Sequence, residues 1–219
     1  MGARKEEKKM ATKKENVVIE LQPINLGEAT ITIVGDTPLI VNCFDEKTKR
    51  QMLEAQMKKA TKGKDPKNPV EDFMRSLHWI TKMPEEYTEE AFEKAVKDGA
   101  KFGFPAVGIK ASIVSSAYRG KLTKDKVSVN GSFHIIGELI EIQGTPTMRE
   151  DMVRVANGMP DIRYRGEFKE WKMTFTIRYN KNVYSLEQLI NFVNLGGFAC
   201  GIGEHRTEKG GQNGSYHVA

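Results

Sequence analysis

The sequence predicts an α+β fold: a ferredoxin-like antiparallel sheet with helices on one face and a helical insertion. Three observations carry this. Apolar and polar residues alternate at 29–33, 162–168 and 171–179, the period-2 mark of half-buried strands. Runs with helical spacing stand between the strand-like ones, as at Ile109, Ile113 and Ala117, or Leu186, Leu189, Ile190 and Val193, where one stripe faces a core. With residues 45–100 set aside as an insertion, the element order is close to βαββαβ.

In chain order, residues 1–15 form a disordered basic tail, and 16–219 a single domain. Residues 17–21 read as a short leading strand. The strand at 29–33 stops at Gly35-Asp36-Thr37-Pro38, because proline cannot donate to a ladder. Leu53, Met57 and Ala60, then Phe73, Leu77 and Ile80, then Phe92, Ala95 and Val96 recur at helical spacing, with a polar, basic break at 62–69. Residues 102–105 are extended, and a helix runs from there to Gly120. Residues 121–132 form a polar connection and 133–142 a buried strand or strand pair. The alternating runs 162–168 and 171–179 are expected to pair as a hairpin. Arg163, Arg165 and Glu167 then share a polar face with Lys172 and Arg178. Ser185 is placed to cap the last helix, which Gly196-Gly197 ends. A glycine-rich loop and a closing strand at 215–218 complete the chain.

Composition narrows the function. The chain is 39% hydrophobic and 29% charged, ordinary for a globular protein. No apolar run approaches the roughly 18 residues of a spanning helix, so no membrane partner is expected. The first 15 residues hold no apolar stretch of the secretory kind. Cys43 and Cys200 are too few for a disulfide framework, and with four histidines they make no zinc pattern. Reduced thiols in a cytoplasmic protein, with no metal and no cofactor, are the expectation. The net charge is +5, but residues 1–15 hold six basic residues against three acidic ones. The body is therefore only mildly basic.

Three features bear on chemistry. Residues 201–214 include five glycines, which let backbone N–H groups approach an anion without a Cβ in the way. Gly201, Gly203, Gly210 and Gly211 are the candidates, with His205, Arg206 and Lys209 beside them. The loop follows a helix and precedes a strand, the reverse of a nucleotide-binding glycine turn. Second, Gly108 and Lys110 stand at a helix entry whose first N–H groups suit a phosphate. From 108 to 129, Lys110, Arg119, Lys121, Lys124 and Lys126 face only Asp125. Third, Arg163 and Arg165 on an open sheet face can track a sugar-phosphate chain. Tyr164 and Trp171 fall in the apolar register and belong to the core. No catalytic motif is present. His205 is the one candidate general base, so a metal-independent endoribonuclease and a protein-interaction module stand as alternatives to a non-catalytic binder.

These residues carry a resemblance. The strand at 29–34 with Gly35-Asp36-Thr37-Pro38-Leu39-Ile40, the helix entry Phe104-Pro105-Ala106-Val107-Gly108-Ile109-Lys110, and the glycine loop between last helix and last strand resemble the repeat-associated mysterious protein (RAMP) superfamily of CRISPR systems. Within it the chain looks most like the backbone subunits that polymerise along guide RNA. A stand-alone relative from a phage or mobile element matches the same residues. The resemblance implies an RNA-recognition-type fold and a single-stranded nucleic-acid partner, RNA over DNA. It also implies assembly with further copies or related subunits.

Overall fold

The computed structural model describes residues 23–44, 46–57, 67–154 and 158–219. Strand β1 (Leu26–Gly35) lies centrally in the larger sheet, between β10 (Tyr216–Val218) and β9 (Lys172–Asn180). The other edge of β9 takes β5 (Phe133–Ile135) at one end and β6 (Leu139–Gln143) at the other. Next to β6 come β4 (Phe102–Pro105) and the two-residue β3 (His78–Trp79). Every pairing is antiparallel. Helix α4 (Ala106–Arg119) precedes β5, and α6 (Leu186–Ala199) connects β9 to β10. The fold is α+β, and this strand order with its two crossover helices follows the ferredoxin-like plan.

Alternation explains the layering. Ile31 and Ile33 of β1 and Met173, Phe175 and Ile177 of β9 are buried in one core with Ile109 and Ile113 of α4 and Leu189, Phe192 and Val193 of α6. The opposite face carries the cross-strand pairs Thr30–Thr176 and Thr32–Thr174, with hydroxyls 3.4 and 2.9 Å apart. Helix α6 begins with a capping box: Ser185 Oγ accepts from Gln188 N, and Gln188 Oε1 accepts from Ser185 N, which satisfies two of the donors a helix start leaves open. Ser112 of α4 donates to Gly196 O at 2.9 Å and lies 3.3 Å from the Tyr216 hydroxyl. That contact ties α4, α6 and β10 together.

A second sheet has the order β2 (Leu39–Val41), β8 (Pro160–Phe168), β7 (Pro146–Arg154). Helix α2 (Pro69–Ser76), capped by Asn68, packs on β8. Leu77 sits over Gly166, where a Cβ would lie 2.3 Å from Leu77 Cδ2. Helices α1 (Glu46–Gln56), α3 (Glu89–Lys97) and α5 (Lys126–Ser132) complete the described helices. Phe73, Phe92, Trp79, Phe102 and Phe168 form a chain of ring contacts with centroids 4.8 to 6.2 Å apart. It joins α2, α3, β3 and β4 to the second sheet, so both sheets share one core.

Several expectations change. The runs at 162–168 and 171–179 do not pair with each other. The first pairs with β2 and β7, the second with β1, β5 and β6. Arg163 and Arg165 therefore lie in a different sheet from Lys172 and Arg178. The last helix does not end at Gly196-Gly197 but continues to Ala199. Both glycines are buried against Tyr216: a Cβ on Gly197 would lie 1.8 Å from Tyr216 O. The connection at 121–132 contains α5, and Ile80 lies beyond β3, off the α2 stripe. The tail at 1–15, the strand at 17–21 and most of the break at 62–69 lie outside the described residues.

A methyl group at position 197 has to displace main chain rather than a side chain. Gly197→Ala is expected to cost about 2–3 kcal/mol in urea unfolding, at the upper end of overpacking effects. An unchanged midpoint would show that α6 and β10 are not held this closely.

Candidate nucleic-acid interface

The glycine loop is pinned by its own main chain. Segment 36–40, the turn after β1 and the start of β2, and residues 202–215 clasp each other. Asp36 N donates to Ser215 O at 2.9 Å, Gly214 N to Pro38 O at 2.9 Å, and Glu204 N to Ile40 O at 2.8 Å. Ser215 N reaches Thr37 Oγ1 at 2.9 Å. Within the loop, Ile202 N bonds Gly214 O, Asn213 N bonds His205 O, Gly211 N bonds Arg206 O and Gly210 N bonds Thr207 O. Gly201 N turns back to Gly196 O, and Glu208 N to Cys200 O.

The expectation of a glycine amide cradle for phosphate is therefore corrected. Most of these amides donate to carbonyls of the protein itself. The glycines serve close approach: a Cβ at Gly203 would lie 2.4 Å from Ile40 O, and one at Gly211 would lie 1.7 Å from His205 O. Gly210, with φ +82° and open space where a Cβ would stand, ends the 3-10 turn Thr207–Lys209 on the surface.

What the loop presents is side chains. Glu208 Oε1 is 2.8 Å from Arg119 Nη2, and its Oε2 is 3.2 Å from Arg206 Nε. One carboxylate thus joins the end of α4 to the loop. Burial pushes the Cys200 thiol up and Glu208 adds to that, while Arg119, Arg206 and Lys126 act in the opposite sense. Lys126 Nζ lies 5.5 Å over the Tyr118 ring. Asp125, the segment's one acid, is occupied in capping α5, accepting from Ser128 N at 2.7 Å. Among the described residues, Lys121, Lys124 and Lys209 have no carboxylate partner, and all three are exposed.

The loop's other flank meets the second sheet. His205 Nε2 is 3.3 Å from Arg165 Nη1 and 3.6 Å from Asp151 Oδ2. Arg165 also bonds Asp151 at 3.1 Å, and Arg149 bonds both Asp151 and Glu167, at 2.9 and 2.7 Å. Arg163, on the same strand face, pairs with Asp161 at 2.8 Å. Lys67 also pairs with Asp161, at 2.5 Å, so three arginines and one lysine meet three carboxylates and the positive charge of this patch is largely paired. Burial pushes the Asp151 carboxyl up, yet Arg149, Arg165 and His205 outweigh it and hold it below the ordinary range.

The structure thus gathers Arg119, Arg206 and Lys209 at one rim, with Lys121 two residues after Arg119, and Arg163, Arg165 and His205 at an adjoining patch. It does not bring Gly108 and Lys110 to either. They sit near the start of α4, about 14–16 Å along the axis from Arg119 at about 1.5 Å per residue. Gly108 is packed on the Phe104 ring. Lys110 Nζ is 3.4 Å from His134 Nδ1, and burial lowers its pKa.

Sequence reasoning missed Arg149, because 146–154 is too uniformly polar to show alternation. It also missed the bridging role of Glu208. Lys121 and His205 are the described non-glycine residues with positive φ, 57° and 50°. Backbone strain of this kind clusters at functional sites. Among the described residues, no group of three or more His, Cys, Asp or Glu is placed to hold a metal ion. No helix there is long and apolar enough to cross a membrane.

The chain matches no family model and no curated protein. Among solved structures it is similar to the crystal structure of Cmr6 from Pyrococcus furiosus. The identity is 11%, the TM-score 0.36, and the match covers 90% of this chain and 100% of that one. This is a weak, fold-level likeness.

Asp151 gives a test of the sheet-loop junction. Asp151→Asn leaves two guanidinium groups with a weaker acceptor and is expected to cost about 1–3 kcal/mol. The carboxylate's contribution is complete above its unfolded value of about 3.9 and is lost as pH falls through the lower folded value. Wild type and variant should therefore converge in stability in strong acid. A constant gap across that range would remove the ionic explanation.

Proposed function

We propose that this protein is a non-catalytic binder of single-stranded nucleic acid, with residues 16–219 as one domain. The phosphate chain runs along the rim formed by Arg119, Lys121, Lys124 and Lys126 on one side and Arg206, Lys209 and Gly210 on the other. The observation that carries this reading is the charge imbalance at that rim. Three lysines there lack a carboxylate partner, Asp125 is consumed as a helix cap, and Glu208 is shared between two arginines. The charge-paired patch of Arg163, Arg165 and His205 extends the path and supplies orientation more than attraction, since guanidinium forks can exchange a carboxylate for a phosphate. RNA is proposed over DNA on the family resemblance alone.

A second reading, contact with another copy or a related subunit, is favoured by the β7–β8 ribbon. Met148, Met152 and Ile162 on one of its faces are 43%, 70% and 42% exposed. Self-association in sedimentation experiments without nucleic acid supports that reading.

Binding is expected to weaken steeply with salt in fluorescence anisotropy with a labelled single strand. Changing Lys121, Lys124, Lys126 and Lys209 to Ala together should flatten the log–log salt dependence, by about 0.7 for each lysine that faces a phosphate. Absence of binding by wild type at low salt would sink the proposal. Lys121 offers a second test with opposite signs. Lys121→Gly relieves a left-handed residue at a helix end, which outweighs the added chain entropy. Thermal unfolding should show a gain of up to about 1 kcal/mol while affinity falls. A variant that gains stability with affinity unchanged would take Lys121 out of the interface.

A further inference from the structure

Phe198 is 81% exposed, the most exposed large apolar side chain among the described residues. On α6 the buried stripe is Leu189, Phe192, Val193, Gly196 and Gly197, and Phe198 projects away from it. Leu195, three residues earlier on the same side of the helix, lies against Gly120, where a Cβ would stand 2.7 Å from Leu195 Cδ2. Gly120 lies between Arg119 and Lys121. Two residues after Phe198, Cys200 O accepts from Glu208 N at 3.0 Å, and Glu208 holds Arg119 and Arg206. The helix end that carries Phe198 is thus tied on one side to the end of α4 and on the other to the 207–209 turn. Tyr118, 46% exposed, stands on the α4 side with Lys126 over its face.

From this juxtaposition we propose that Phe198 is a stacking platform for a base of the bound strand, an inference that rests on the nucleic-acid reading above. A phenyl face in open water gains nothing from the fold and loses solvation only when something flat or apolar covers it. The charges on the elements tied to this helix end select the occupant. A partner that brings an apolar group together with anions on either side fits, and a single-stranded nucleic acid has that chemistry at every nucleotide: a π face flanked by phosphates. The lysines set the salt dependence and Phe198 adds a contribution that salt does not screen. A duplex keeps its bases inside and cannot use the platform.

The test is a single strand carrying 2-aminopurine at successive positions, bound to wild type, Phe198→Ala, Phe198→Trp and the lysine-to-alanine variant. For wild type, fluorescence at one or two positions should be quenched on binding. Phe198→Ala should lose that quench and weaken single-strand binding roughly five- to a hundredfold. Its salt slope and any duplex binding should stay unchanged. Phe198→Trp should keep both affinity and quench. Because the side chain is exposed, circular dichroism should show all variants folded. If Phe198→Ala binds as tightly and quenches as wild type does, the platform is overturned. Weakening in the lysine variant would then leave the nucleic-acid reading standing. If wild type binds no strand at low salt, both fall together.

Discussion

The arrangement at both candidate surfaces depends on the main-chain clasp between residues 36–40 and 202–215. Its four cross-links, three of them backbone to backbone, join the point where the chain leaves the larger sheet for the smaller one to the loop before the last strand. Each such bond contributes about 1 kcal/mol net, and leaving a buried donor unmet would cost more. Local chemistry makes the clasp possible. Pro38 has no N–H to satisfy and still lends its carbonyl to Gly214. Trp171 Nε1 donates to Thr37 O at 2.9 Å, and its ring lies so close that a Cβ at Gly35 would be 2.2 Å from Nε1. The clasp fixes where His205 and Arg206 stand. These neighbours in sequence face different elements, one the second sheet and the other the end of α4.

Charge is distributed unequally across that junction. On the second sheet every arginine of the polar face has a carboxylate, and the registers Arg149↔Arg165 and Asp151↔Arg163 place them in a closed network. Such a network specifies geometry more than it adds stability. At the end of α4 the balance is abandoned. A helix C-terminus carries partial negative charge, which favours Arg119 there, but one terminus does not require four further cations in the next few residues and the facing turn. Structural need accounts for the paired arginines and for Lys126 over the Tyr118 ring, and it does not call for Lys121 and Lys124.

Much of the fold was legible because alternation and capping are local. The faces of β1, β8 and β9, the start of α6 at Ser185 and the extent of α4 follow from side-chain period and cap chemistry. Partner choice was not legible. Alternation says which side chains share a face, not which strand lies alongside, so 162–168 and 171–179 looked like a hairpin although a sheet boundary falls between them. The glycines were misread for a related reason. In sequence, a glycine that stops a helix, frees an amide or admits a neighbouring backbone is the same letter. Gly197 admits Tyr216, and Gly203 admits Ile40. The candidate site was half legible: the cations of 119–126 and 206–209 were visible as charge, but only the fold shows Glu208 joining them, and only the true end of α6 reveals Phe198 as exposed.

The pinned loop changes how recognition would work. An amide cradle reads an anion through fixed geometry, and its dipoles are part of the backbone, so its affinity resists side-chain substitution. Here those dipoles are spent within the protein, and attraction must come from lysines on flexible stems and arginines that exchange partners. Such groups tolerate any backbone of the right charge spacing and discriminate poorly between sequences. Whatever selectivity the surface has must then come from shape and from what lies between the charges. On this rim that means the ring faces at the ends of α4 and α6, which under the proposal would distinguish a strand with open bases from one whose bases are already stacked on each other.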